Sequence, residues 1–177
     1  RCQKIQFHNL EKSEMLKLTE SIVEGTKIDF KKKEQLFKIS NGSPGKFSLF
    51  LEEDFFAVLM KIETITAEFP RLDYEKIQDL IYEYPSFSTW ENKDRSILSI
   101  FLTFISHITC QLIELRSSNA YTFDDILLRK LNEIPDIQLL IAHLYTQLIL
   151  LRSEAQKYNF DQKKIIFLSF SLFEKLG

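Results

Sequence analysis

Asn41-Gly42-Ser43-Pro44-Gly45-Lys46 holds two of the chain's four glycines and one of its four prolines, directly before an amphipathic run. Glycines beside a lysine suggest a phosphate loop, in which backbone amides wrap the phosphates and the lysine neutralises their charge. That chemistry requires Gly-x-x-x-x-Gly-Lys followed by Ser or Thr, after a strand. Here Gly42 and Gly45 stand too close together, Phe47 replaces the magnesium-binding hydroxyl, and a helical pattern precedes. The phosphate-loop reading fails. The same residues suit a stop and restart between helices, with Gly42 as a left-handed residue past one helix, Ser43 as N-cap and Pro44 as the first residue of the next.

Other reactive side chains assemble no better. His107 and Cys110 share a helix face at i, i+3, but only His8, His143 and Cys2 remain in the chain to complete a metal site. A packed core pair is the simpler reading. Glu52, Glu53 and Asp54 form an acidic cluster with no base or nucleophile indicated beside them, and no Ser, Thr or Cys has an assigned histidine partner. No self-contained active site, metal site or cofactor site is expected. Cys2 and Cys110 match no redox spacing, which fits a reducing, cytoplasmic setting. With a formal charge of −2, the chain has no general attraction for nucleic acid or an anionic membrane. Lys31–Lys33 reads as a solvated helix face.

The elements that would carry these residues are helices. Across 177 residues there are four Gly and four Pro, and 45% of residues are hydrophobic, which favours an almost wholly helical chain with a substantial core. Ser13 is placed to cap a helix to about Val23. A second helical run, Asp29 to Asn41, leads to the glycine turn. Phe47, Phe50, Leu51, Phe55, Leu59 and Ile62 continue a helical pattern toward Pro70. Asp73 is placed to cap Tyr74–Tyr84, in which Ile77, Leu80, Ile81 and Tyr84 repeat at i, i+3, i+4, i+7.

An irregular link around Trp90 precedes a long helix from about Lys93 to Ser117. Its polar stripe (Ser99, Thr103, Ser106, His107, Gln111, Glu114) argues against a membrane span. Thr122 and Asp125 offer a capping-box-like start for the next run. Pro135 and Asp136 open a helix with Ile137, Leu140, Ile141, Leu144, Leu148 and Leu151 on one stripe. Asn159 and Asp161 separate it from the Phe-rich tail. A small helical unit followed by a larger bundle is expected.

The first residues differ. Ile5 and Phe7 alternate with Lys4, Gln6 and His8, the period of a half-buried strand, yet no second strand is evident downstream. A lone strand cannot satisfy its own backbone groups. The chain also starts at Arg1 rather than at methionine, so the sheet is expected upstream.

Arg1-Cys2 before that strand, followed by Leu36-Phe-Lys-Ile-Ser-Asn-Gly-Ser-Pro-Gly-Lys-Phe-Ser-Leu-Phe50, resembles bacterial clamp-loader subunits of the DNA polymerase III holoenzyme, most closely the delta-prime type. In that family a Ser-Arg-Cys motif ends an AAA+ core, a strand follows, and a three-helix lid contains a Gly-Ser turn. The tail "KYNFDQKKIIFLSFSLFEKL" also looks like delta-prime C termini, in which an Asn-Leu-Asp-Arg-Lys run opens the last helix. The resemblance covers about residues 1–55 and the tail.

It implies an all-α chain with one orphan N-terminal β-strand from the AAA+ core at 1–9, a three-helix lid at 10–56 and a helical collar at 57–177. It implies that Arg1 is an arginine finger acting in trans on ATP held by a neighbouring subunit. Ser43 and Pro44 would form the lid turn with Gly42 and Gly45. Gly45 stands where nucleotide-hydrolysing subunits carry the arginine that reads the phosphates, which favours delta-prime over gamma/tau. Lys46, one residue later, is turned about 100° around the helix. Phe47, where the family usually has alanine, is a second departure. The partners implied are gamma/tau and delta subunits, with primed DNA and the sliding clamp reached through the complex. The rival readings are a gamma/tau-type ATPase fragment and a helical adaptor unrelated to replication.

Overall fold

The computed structural model describes residues 13, 14, 17, 36, 37, 39, 40, 43–90, 95–118 and 126–177, without the side chains of 53 and 114–118. These residues are mostly helical, and no strand occurs among them. The strand expected at Ile5–His8, the left-handed Gly42 and the Thr122–Asp125 capping box lie outside the described residues. Among the described residues, no single helix is long and apolar enough to cross a membrane.

The chain divides into two compact units, Arg1–Phe56 and Ala57–Gly177. In the first, Ser13, Glu14 and Lys17 are helical, as are Leu36, Phe37, Ile39 and Ser40. Helix α1 follows at Pro44–Phe50. Leu36, Phe47, Phe50 and Phe55 are buried, with the rings of Phe50 and Phe55 at 4.9 Å. Phe47 is therefore a core residue. The small helical unit is expected to end at about Glu53, and the helical pattern is interrupted there. Leu51 and Glu52 interrupt the backbone before α2, Glu53–Thr66. The Leu51 amide turns back to Phe47 and Ser48 carbonyls, a mixed termination that ends the short helix.

The second unit contains most of α2, then α3 (Tyr74–Glu83), a 3-10 turn (Pro85–Ser88), α4 (Ile97–Ser118), α5 (Ile126–Asn132), α6 (Ile137–Lys157) and α7 (Gln162–Glu174). Asp73 caps α3 by accepting from the Glu75 amide at 2.9 Å, and Asp161 caps α7 through the Lys163 amide at 3.0 Å. Pro135 and Asp136 open α6 as expected. Asp136 holds the N-cap position in the left-handed region (φ 53°), which aspartate tolerates, and its carbonyl accepts from the Leu140 amide at 3.1 Å while its side chain makes no cap bond. The start of α4 falls at Ser96, whose Oγ accepts from the Ser99 amide at 3.2 Å.

Helix α4 is the central element, packed against α5, α6 and α7. From Ile97 to Leu112 its residues are buried or half-buried, including Ser99, Thr103, Ser106, His107 and Gln111 of the polar stripe. Hydroxyls survive there by bonding back along the helix: Thr103 donates to the Ser99 carbonyl at 3.0 Å and Thr109 to the Ile105 carbonyl at 2.8 Å. The densest part of the core is aromatic. Phe101 of α4 stacks on Phe170 of α7 at 4.4 Å, meets Phe173 edge-on at 6.0 Å, and Phe173 in turn meets Phe69 at 5.4 Å. All four rings are buried.

Polar ties seal the same end of the unit. The Phe69–Pro70 peptide is cis. Lys130 of α5 donates to the carbonyls of Ala67 and Phe69 at 3.0 and 2.7 Å, satisfying acceptors that the end of α2 leaves open. Glu174 accepts from the Leu72 amide at 2.9 Å and the Tyr74 hydroxyl at 2.7 Å. At the surface, the ion pair Lys61–Glu83 joins α2 to α3, and Lys76–Glu68 joins α3 to the turn after α2. Two side-chain amides are left out among the described residues: neither polar atom of Gln162 and not the Nε2 of Gln156 has a hydrogen-bond partner, and nothing in the structure explains it.

Phe173→Ala removes a ring shared by three elements and should destabilise the chain by about 3–5 kcal/mol in urea unfolding. A loss under about 1 kcal/mol would show that the cluster is not a keystone. Acid should act through a different residue. The Leu72 amide, then the Tyr74 hydroxyl, hold the Glu174 carboxyl below its ordinary value. A lowered carboxylate stabilises the fold above the unfolded pKa, about 4.3, and that contribution disappears as pH falls through the folded value. The stability gap between wild type and Glu174→Ala should therefore be open at pH 6 and narrow below pH 4. A gap independent of pH would contradict the role of the charge.

Candidate docking face

Of the site residues read from sequence, Arg1 and Gly42 lie outside the described residues, as do Cys2, His8 and Lys31–Lys33. Ser43, Pro44 and Gly45 are in place. Ser43 has extended backbone (φ −95°, ψ 112°), Pro44 opens α1, and Ser43 Oγ accepts from the Lys46 amide at a long 3.5 Å. The turn before it is closed by the Ser43 amide bonding to the Ser40 carbonyl at 3.0 Å. Gly45 is exposed, and a Cβ built on it would meet nothing within 4 Å. Lys46 is also exposed. This is a helix start with Gly45 and Lys46 exposed in its first turn, and α1 spans 7 residues.

The remaining reactive groups stay dispersed. His107 and Cys110 lie half-buried on α4, and Cys110 is a free thiol. Among the described residues, no three His, Cys, Asp or Glu side chains come together as a metal site. Glu52 is half-buried and Asp54 exposed at the start of α2. His143 lies exposed on α6, away from any of these in sequence and facing solvent.

What the second unit does present is an apolar surface on α6. This helix buries Ile137, Ile141, Leu144, Leu148 and Ala155 against α4 and α7. Its opposite side carries Leu139 at 72% exposure, Leu150 at 60%, Ile149 at 44% and Leu140 at 39%. Rotation of about 100° per residue places Leu139, His143, Thr146 and Leu150 along the middle of that side. Leu140 and Ile149 flank it on opposite edges. Ile137–Leu151 contains no Asp, Glu, Lys or Arg, so no charge interrupts the face. Single exposed leucines are ordinary, whereas four large apolar residues on one uncharged side form the kind of patch that marks an interaction site.

Two sequence expectations change here. The apolar period puts Leu140 on the buried stripe of α6, but it sits at the rim, because the buried line runs through Ile137, Ile141, Leu144 and Leu148 at spacings of four, three and four. The wide apolar faces of helices 95–116 and 137–151, with the Phe-rich tail, also suggest surplus apolar surface. On 137–151 that surface is present. Helix α4, by contrast, occupies the centre of the unit and leaves only Ile113 exposed among its described large apolar residues, at 53%. Phe170 and Phe173 fill the core, leaving Leu168 of α7 exposed at 43%. Leu139, Ile149 and Leu150 are the residues that a reading by period misses. The legible signal is the uncharged run itself, since a helix that buries only one side ordinarily carries charge on the other.

A smaller cluster closes the far end of α6. Trp90 Nε1 donates to the Phe160 carbonyl at 2.8 Å, and the rings of Tyr158 and Phe160 stack at 5.9 Å. Lys157 lies over Tyr158 at 5.0 Å and Lys163 over Tyr82 at 5.1 Å. These contacts tie the α6–α7 connection to the segment after α3.

Because Gly45 is helical and unobstructed, its glycine character serves no backbone need. Gly45→Ala should stabilise the chain by about 0.5 kcal/mol, the helix-propensity difference reduced near a terminus. A destabilisation measured by thermal unfolding would mean that the turn depends on glycine. No family model, no curated protein and no solved structure matches this chain.

Proposed function

We propose that this chain is the lid and collar part of a delta-prime-type clamp-loader subunit of the bacterial DNA polymerase III holoenzyme, helping to assemble the ring that loads the sliding clamp on primed DNA. The observation that carries the reading is the uncharged, leucine-lined side of α6, which gathers four of the unit's exposed large apolar residues on one helix. Such a face suits a collar, whose work is to hold subunits together. The lid reading draws support from the Ser43–Pro44 helix start and from the small helical unit that contains it.

In this reading the chain has no active site of its own, and ATP is bound by neighbouring subunits. Gly45 removes the phosphate-reading arginine from the lid, which sets the chain apart from a gamma/tau-type ATPase. Arg1 is the trans arginine finger: a planar, permanently charged guanidinium stabilising charge on a neighbour's transferred phosphoryl group. The α6 face also suits a helical adaptor unrelated to replication, and the choice of partners separates the two.

The loader reading predicts that the chain co-purifies with gamma/tau and delta subunits at micromolar concentration. Leu139→Glu or Leu150→Glu should weaken that association at least tenfold while leaving helix content unchanged. Arg1→Ala in the assembled loader should lower DNA-stimulated ATPase and leave assembly intact. A chain that ignores both subunits at these concentrations is not a collar.

A further inference from the structure

The corner between α6 and α7 turns aromatic rings toward water. Tyr82, Tyr158 and Phe160 are each more than half exposed. The backbone brings two of these rings together. Asn159 lies in the left-handed region at φ 52°, and the Phe160 amide closes the turn by donating to the Ala155 carbonyl at 2.9 Å. Tyr158 and Phe160 stand on either side of Asn159, and their rings stack at 5.9 Å. Trp90 Nε1, from the segment after α3, holds the Phe160 carbonyl at 2.8 Å. The rings are thus fixed before any partner arrives, which lowers the entropy cost of binding on them.

Positive charge accompanies the rings. Lys157 lies over Tyr158 at 5.0 Å and Lys163 over Tyr82 at 5.1 Å, and Lys164 is exposed next to Lys163. From residue 152 to 164 the cations are Arg152, Lys157, Lys163 and Lys164, against the carboxylates Glu154 and Asp161. Asp161 is committed to the Lys163 amide at 3.0 Å. On α3, Glu83 beside Tyr82 is paired with Lys61, while Asp79 is exposed and opposes the cations. The corner is therefore locally cationic in a chain whose net charge is −2.

Stacking faces beside lysines suit a ligand that offers flat rings and anions in alternation. Single-stranded nucleic acid does so, because each base stacks on an aromatic side chain and each phosphate pairs with a cation. A duplex keeps its bases stacked on one another and leaves the exposed rings unused. An acidic peptide satisfies the lysines and offers the rings no flat partner. We propose that the α6–α7 corner binds single-stranded nucleic acid, with bases stacked on Phe160, Tyr158 and Tyr82 and phosphates at Lys157, Lys163 and Lys164. Three lysines fix the salt dependence: at about −0.7 per phosphate, log affinity falls with log salt at a slope of about −2. With no charge elsewhere to help, the dissociation constant is on the order of 10 to 100 μM at about 50 mM salt. The site rests on no part of the loader reading, because it needs only this chain.

Fluorescence anisotropy of a labelled oligo-dT of about 12 nucleotides, within the usual size of such sites, tests it on the full chain. Circular dichroism confirms that each variant is folded, and Trp90, the chain's one tryptophan, reports from the site itself. Binding should saturate, quench Trp90 emission and weaken about sixteenfold between about 50 and 200 mM salt. A duplex of the same length should bind at least fivefold more weakly. Phe160→Ala and Tyr158→Ala should each cost at least fivefold, whereas Phe160→Tyr, which keeps a stacking ring, stays within about twofold. Lys163→Glu should cost at least fivefold, and Lys175→Glu, about 18 Å further along α7, less than about twofold. No saturable binding below about 1 mM, a duplex bound equally well, aromatic variants that bind normally, or equal losses from K163E and K175E would each overturn the proposal.

Discussion

The second unit depends on one aromatic contact system. Phe101, Phe170, Phe173 and Phe69 come from α4, from α7 and from the turn after α2, and their rings lie 4.4 to 6.0 Å apart in sequence of contact. Each ring buries a large apolar surface, and the stacked and edge-on geometries add about 0.5–1.5 kcal/mol per pair beyond that burial. With these rings holding the first and last parts of the unit together, α4 is fixed in the centre and α6 commits only one side to the core. Its other side remains available. The exposed apolar face is thus a consequence of how the aromatic core allocates the helices.

The polar contacts around this core determine where the chain turns. The turn after α2 would leave backbone acceptors and donors unpaired near a buried ring. Lys130 supplies donors to the Ala67 and Phe69 carbonyls, and Glu174 supplies acceptors to the Leu72 amide and Tyr74 hydroxyl. Both come from elements remote in sequence, so the turn is specified by tertiary contacts as much as by its own residues. Burial, then the Glu174 bond, raise Tyr74 above the usual tyrosine range, the complement of the lowered Glu174.

Period and caps make much of the helical layout legible. Asp73 caps α3, with Ile77, Leu80 and Ile81 buried behind it. Local rules fail where long-range packing decides the outcome. The break at Leu51–Glu52 has no glycine or proline to announce it, and only the change of pattern near Glu53 marks it in the sequence. Asp136 opens α6 from the left-handed region, a backbone state that its residue type allows but does not announce. On α6, apolar residues surround the helix, so period alone does not separate Leu140 at the rim from Ile141 in the core. The absence of charge between Ile137 and Leu151 is the better guide to function, because solubility ordinarily places charge on an exposed side.

Hydroxyl-radical footprinting addresses the central claim, that the exposed side of α6 is where another protein docks. The measurement compares the free chain with the chain incubated with gamma/tau and delta subunits. The account predicts that labelling of Leu139, Leu140, Ile149 and Leu150 falls severalfold in the mixture while Tyr82 and Ile113 keep their free-state labelling. Unchanged labelling of the four α6 residues in a mixture that has demonstrably assembled would contradict it.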